Sequence, residues 1–89
     1  MASHIPTFHV YILELIDGSY YVGHTNNLKR RMQEHSLGIA CSHTKKYPMK
    51  ELRWSEIQPD RLAASKREKE IKGWKRVKKE MLWEMQSLS

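Results

Sequence analysis

The 89 residues leave room for one hydrophobic core and not two, so the sequence predicts a single domain over residues 8–86, with 1–7 and 87–89 as flexible ends. A hydrophobic fraction of 39% with three Trp and four Tyr suffices for that core, and 29% charged residues suit a solvated surface. The formal net charge of +6 favours polyanionic partners without choosing between nucleic acid and acidic lipid.

No apolar run approaches the roughly 20 residues of a bilayer span. Met1 to Thr7 lacks the basic and apolar regions of a signal peptide, so a cytoplasmic protein with no membrane partner is expected. Cys41 is the only cysteine, which excludes an internal disulfide and a cysteine-based zinc cluster, and nothing around it resembles an activating triad.

The first element is a strand over His9 to Leu15, rich in β-branched and aromatic residues. Asp17-Gly18 is a turn signal, and Tyr20 to Gly23 forms the returning strand of a hairpin. Thr25-Asn26-Asn27 offers an N-cap for an amphipathic helix from Leu28 to Leu37, closed by Gly38. Gly38 to Pro48 has no sustained period and reads as a loop. A short third strand over about Glu51 to Glu56 follows, with Leu52, Trp54 and Glu56 expected on one face, and it is expected to join the hairpin. Asp60 caps a helix that runs through Glu68 to Ile71 and stops at Gly73. A last helix over Lys75 to Met85 is expected to use Val77, Met81, Leu82 and Met85 as its apolar face. The order β-β-α-β-α-α describes an α+β domain, a small antiparallel sheet covered by helices.

Several residues with hydroxyl, cationic or carboxylate side chains occur in a distinctive order along this frame. Tyr11 lies in Val10-Tyr11-Ile12 and Tyr21 in Tyr21-Val22-Gly23. Arg31 and His35 are four residues apart and share a helical face, and Glu68 sits in Arg67-Glu68-Lys69-Glu70-Ile71. In identity, order and spacing these motifs resemble the GIY-YIG nuclease family, in its short stand-alone bacterial form, over nearly the whole chain. The resemblance implies a three-stranded antiparallel sheet flanked by helices, one Mg²⁺ or Mn²⁺ ion, and hydrolysis of a phosphodiester.

It also implies roles. Glu68 would be the metal ligand, a hard oxygen donor for a cation that keeps several waters, while Glu70 should point elsewhere. Arg31 would hold the scissile phosphate and His35 would hydrogen-bond a tyrosine or that phosphate. Tyr11 would accept the proton of the attacking water, with Tyr21 positioning that water, and His24 is the alternative proton acceptor. The first motif carries His9 where the family has glycine, and no Asn follows Asn27 to match the C-terminal Asn of several members.

The hairpin turn decides whether the tyrosines can cooperate. A two-residue Asp17-Gly18 turn would put Tyr11 and Tyr21 on opposite faces. A three-residue Ile16-Asp17-Gly18 loop, with Gly18 at a left-handed position, puts them on one face, and this odd-length loop is the expectation.

Arg30, Lys45, Lys46, Lys66, Arg67, Lys69 and Lys72 are candidate backbone contacts, and the basic run continues through Lys75, Arg76, Lys78 and Lys79. Trp74, or Tyr47, could stack an unpaired base, although a helix-junction tryptophan beside Gly73 more often packs in a core. The sequence therefore points to a metal-dependent DNA endonuclease acting on single-stranded or branched DNA in repair, recombination or DNA uptake. The rival is a nucleic-acid-binding module that keeps the fold without catalysis.

Overall fold

In the computed structural model, which describes residues 7–40 and 42–87, the chain forms β1 (Phe8–Leu15), β2 (Tyr20–Thr25), α1 (Leu28–Leu37), α2 (Ser42–Lys46), β3 (Met49–Gln58), α3 (Arg61–Lys72) and α4 (Arg76–Ser87). Cys41 and almost all of the expected flexible ends lie outside the described residues. The three strands make one antiparallel sheet in the order β2-β1-β3, so the expected α+β architecture is observed.

β1 is the central strand and is buried on both faces, which is why its sequence is apolar almost throughout rather than alternating. Val10 and Ile12 face one core with Val22, Trp54, Ala64 and Ile71, beneath α3 and the inner side of α4. Tyr11, Leu13 and Leu15 face the second core with Leu28, Met32 and Leu52, beneath α1. α1 and α3 each start at a polar cap. Asn27 accepts a hydrogen bond from the Arg30 amide at 3.0 Å and Asp60 one from the Ala63 amide at 2.8 Å.

The turn between β1 and β2 is the three-residue loop Ile16-Asp17-Gly18. The Leu15 amide donates to the Ser19 carbonyl at 2.9 Å, and Gly18 adopts φ 87°, a conformation that glycine reaches without steric cost. Tyr11 therefore pairs with Gly23 and Leu13 with Tyr21, which puts both tyrosines on the α1 face.

Three sequence expectations need correction. The segment after Gly38 is not entirely loop, because it contains α2, whose Thr44 is fully buried. Leu52 and Trp54 do not share a face. The register shifts between Ile12/Trp54 and Leu13/Leu52, so Arg53 is an extra residue and Leu52 joins the second core while Trp54 joins the first. The bulged Arg53 turns its guanidinium to Glu14, with Nε donating at 2.8 Å. The apolar stripe expected on α4 is also only in part its core face. Val77 is 70% and Met85 63% exposed along an open groove of about 620 Å³, whereas Leu82 packs inward as expected, together with Trp83.

Candidate functional site

The predicted residues assemble as two groups on opposite faces of the sheet, and the groups meet at the β2 edge. On the α1 face the Tyr11 hydroxyl lies 2.9 Å from His35 Nε2, and the Thr44 hydroxyl lies 3.0 Å from His35 Nδ1. Both His35 and Thr44 are fully buried. Burial foremost, and then the nearby Arg31 charge, push the His35 pKa down to about 4 against the opposing effect of Glu34. The ring is thus neutral at pH 7, donating at one nitrogen and accepting at the other, so the two hydroxyls play opposite parts. The Tyr21 ring stands 6.4 Å from Tyr11 between centroids, edge-on to His35 at 5.2 Å, and stacks on His43 of α2 at 5.9 Å.

On the α3 face His24 Nδ1 donates to Glu68 Oε1 at 2.5 Å, and Lys72 Nζ lies 2.6 Å from Glu68 Oε2. Partial burial alone would raise the Glu68 pKa, but the Lys72 and His24 hydrogen bonds outweigh it and hold the carboxyl below its ordinary value. Glu70 does point elsewhere, to Arg67 Nη1 at 2.6 Å.

Gly23 and Arg31 connect the two groups. A Cβ on Gly23 would lie 2.6 Å from the Tyr11 hydroxyl oxygen and 3.1 Å from Tyr21 Cε2, so both rings approach the β2 backbone where only glycine leaves room. His24 is the next residue and faces the other way. Arg31 and His24 line one polar cleft of about 180 Å³ together with Phe8, Thr25, Asn26 and Arg61. Arg31 Nε has no hydrogen-bond acceptor among the described residues, since Glu34 Oε1, 3.1 Å away, lies off its N–H direction.

A divalent cation fits this donor set in one way only. Among the described residues no three carboxylate, histidine or cysteine side chains converge to make a protein cage. Glu68 is an ionised hard oxygen donor with part of its surface open, which matches a magnesium-type ion held by one carboxylate, waters and substrate phosphate oxygens.

The other substrate candidates are scattered. Arg30 is exposed and turned toward Glu34, and Lys45 and Lys46 are exposed on α2, with Lys46 over the Tyr47 ring. Lys66 and Lys69 are exposed on α3. Arg67 is fixed between Glu56, at 3.0 Å, and Glu70, with its guanidinium over Trp74. Trp74 packs on the first core and carries Lys78 as well, so its ring is not presented as a free stacking surface. Thr44 and His43 belong to the tyrosine group, and Phe8 and Arg61 to the cleft, yet the sequence reading assigned no role to any of them. Thr44 and His43 lie in a segment without periodicity. Arg61 carried one usable signal, a cation directly after a helix cap.

Comparison with known proteins identifies the family and the fold. Residues 7–81 match the model of the GIY-YIG catalytic domain. The chain is 37% identical over 75 residues to a UPF0213 protein of Halobacterium salinarum, covering 84% of this chain and 97% of that protein. It is 39% identical over 75 residues to a UPF0213 protein of Xanthomonas axonopodis pv. citri, covering 84% and 74%. The solution NMR structure of a UPF0213 protein from Bacillus halodurans is similar at a TM-score of 0.55 and 35% identity, over 89% of this chain and 84% of that one. The match extends through both strands of the hairpin, Arg31, His35 and Glu68, and on these grounds the chain belongs to the GIY-YIG family, a family of nuclease domains.

Proposed function

We propose that this chain is a divalent-metal-dependent DNA endonuclease that hydrolyses phosphodiester bonds in single-stranded or branched DNA during repair, recombination or uptake. The observation that carries this reading is the cleft that places Arg31 beside His24 while the His24 ring is bonded to Glu68.

Arg31 holds the non-bridging oxygens of the scissile phosphate through its planar guanidinium and stabilises the charge that builds there. Glu68 holds the magnesium or manganese ion, which supplies Lewis acidity at the phosphate when bound. The Lys72 ammonium now on Glu68 is half exposed in an i, i+4 bridge, an interaction weak enough to yield. A water attacks phosphorus, its proton passes to His24, the bond to the leaving oxygen breaks, and that oxygen takes a proton from solvent. Exposure favours His24 over Tyr11 in this role. The His24 side chain is 29% exposed in the cleft, whereas Tyr11 is 1% exposed and bonded to His35. Tyr11 and Tyr21, packed against Gly23, then position the β2 edge that carries His24.

Cleavage of labelled single-stranded, duplex and branched DNA with Mg²⁺, Mn²⁺ or EDTA tests the reading. Nicking should require the metal, prefer single-stranded or branched substrates, and vanish in Glu68→Ala. Arg31→Ala should cost about 10²-fold or more in rate. His24→Gln should cost about 10²-fold and more than Tyr11→Phe; the reverse order returns the proton to Tyr11. Undiminished cleavage by Glu68→Ala overturns the metal assignment, and binding without cleavage by the unaltered protein makes this a docking module.

A further inference from the structure

Each of the other arginines faces a carboxylate: Arg30 and Arg31 approach Glu34, Arg53 holds Glu14, Arg67 holds Glu56 and Glu70, and Arg76 holds Glu80. Among the described residues no carboxylate lies within ion-pair reach of Arg61, although it is the first residue of α3 and sits in the same polar cleft as Arg31. Its guanidinium is placed over the Phe8 ring, 5.7 Å from the centroid, an aromatic support that restrains a cation while leaving its N–H groups available. The other lining groups are His24, Thr25 and Asn26, and among the described residues no acidic side chain lines the cleft.

An un-neutralised, pre-positioned guanidinium in a cleft without carboxylates is built for an external anion. At about 180 Å³ the cleft is smaller than the roughly 300–1,000 Å³ of pockets that enclose small molecules. It suits a chain of phosphates crossing its mouth rather than a swallowed ligand. Two arginines in one cleft also exceed what one phosphate requires, because a single guanidinium already satisfies it bidentately.

We propose that Arg61, supported by Phe8 and flanked by Asn26, is a second phosphate subsite that grips the nucleic-acid backbone phosphate next to the one held by Arg31. This rests on the nuclease reading above and adds a requirement to it. The substrate must present at least two consecutive phosphates, and Arg61 sets the register of the strand without touching the reacting atoms.

The test uses the full chain and a fluorescein-labelled 12-nucleotide single-stranded DNA. Anisotropy in EDTA across a salt series gives affinity, and steady-state cleavage of the same oligonucleotide with Mn²⁺ gives kcat and KM. Arg61→Ala should weaken binding about three- to tenfold at 100 mM salt and lower the slope of log K against log salt by about 0.7, one phosphate contact. It should raise KM while leaving kcat within about twofold of the unaltered protein. Arg61→Lys, which keeps the charge, should retain the slope, and Lys50→Ala, an equal charge loss on β3 away from the cleft, should change neither quantity. Unchanged affinity and slope in Arg61→Ala overturn the subsite, as does an equal loss in Lys50→Ala, which reduces the effect to net charge. A fall in kcat at constant KM also overturns it, moving Arg61 to the scissile phosphate. Absence of any DNA binding by the unaltered protein removes the nuclease reading and the subsite together, whereas DNA binding by the unaltered protein that Arg61→Ala retains at full affinity and slope removes the subsite alone.

Discussion

Gly23 does its work by having no side chain. The Tyr11 ring lies across it so closely that a methyl group would stand 2.6 Å from the hydroxyl oxygen and 2.8 Å from Cζ, and Tyr11, at 1% exposed, has no open space to swing into. Gly23→Ala should therefore push the phenol off His35 and cost about 1–3 kcal/mol of stability, the usual range for overpacking a core. Denaturant titration measures that cost, and DNA cleavage should fall alongside it. Full activity at full stability would mean the Tyr11–His35 contact is dispensable. The glycine could be recognised in the sequence as part of a motif, but not the reason for it, since the partner ring comes from a residue twelve positions earlier. The five candidate residues were likewise legible as a set. What the sequence does not contain is that Tyr11, Tyr21 and His35 lie on one face of the sheet and Glu68 on the other, because that depends on which helix covers which side.

At the level of elements, local signals are legible in the sequence and tertiary ones are not. The odd-length hairpin loop and both helix caps follow from short-range turn and capping chemistry and appear as expected. The five-residue helix α2 has no periodicity to announce it and is anchored by contacts from outside its own segment, Thr44 on His35 and His43 on Tyr21. α4 shows the same limit in reverse. Its 3.6-residue apolar stripe is genuine, but the helix is fixed to the sheet through its other side. There Tyr20 donates to Glu80 at 2.6 Å, Arg76 lies 4.1 Å above the Tyr20 ring and reaches the Gly18 carbonyl at 2.7 Å, and Trp83 meets Tyr20 edge-on. Burial, followed by the Glu80 contact, pushes the Tyr20 pKa up to about 12. Tyr20→Phe should thus cost about 1.5–3 kcal/mol, as for a hydrogen bond to a charged partner. Val77→Lys and Met85→Glu should stay within about 0.5 kcal/mol. Urea midpoints of the three variants compare these costs directly, and equal losses would put the stripe back in the core.

For the whole molecule, the most consequential buried group is the neutral His35. An unfolded histidine titrates near 6.5, whereas His35 in the fold titrates at about 4. Between these values the unfolded chain takes up a proton that the native chain refuses, so His35 opposes folding progressively as pH falls. The stability it permits is complete above about pH 6.5 and is lost toward pH 4. At about 1.4 kcal/mol per unit the loss reaches up to about 3 kcal/mol, a large share of the stability of a small domain. Urea unfolding from pH 7.5 to 4 should show this decline in the unaltered protein and a flatter one in His35→Asn, and parallel profiles would show that His35 is already free to charge. The strand order β2-β1-β3 bears on how such a domain is made. During synthesis β1 and β2 can pair as soon as Thr25 has left the ribosome, but the other side of β1 waits for Met49–Gln58. Until then the most apolar segment of the chain presents an open row of amides and carbonyls, a template that any passing strand could join. The central position that gives β1 its two cores thus makes the nascent chain vulnerable to aggregation for as long as translation takes to deliver β3.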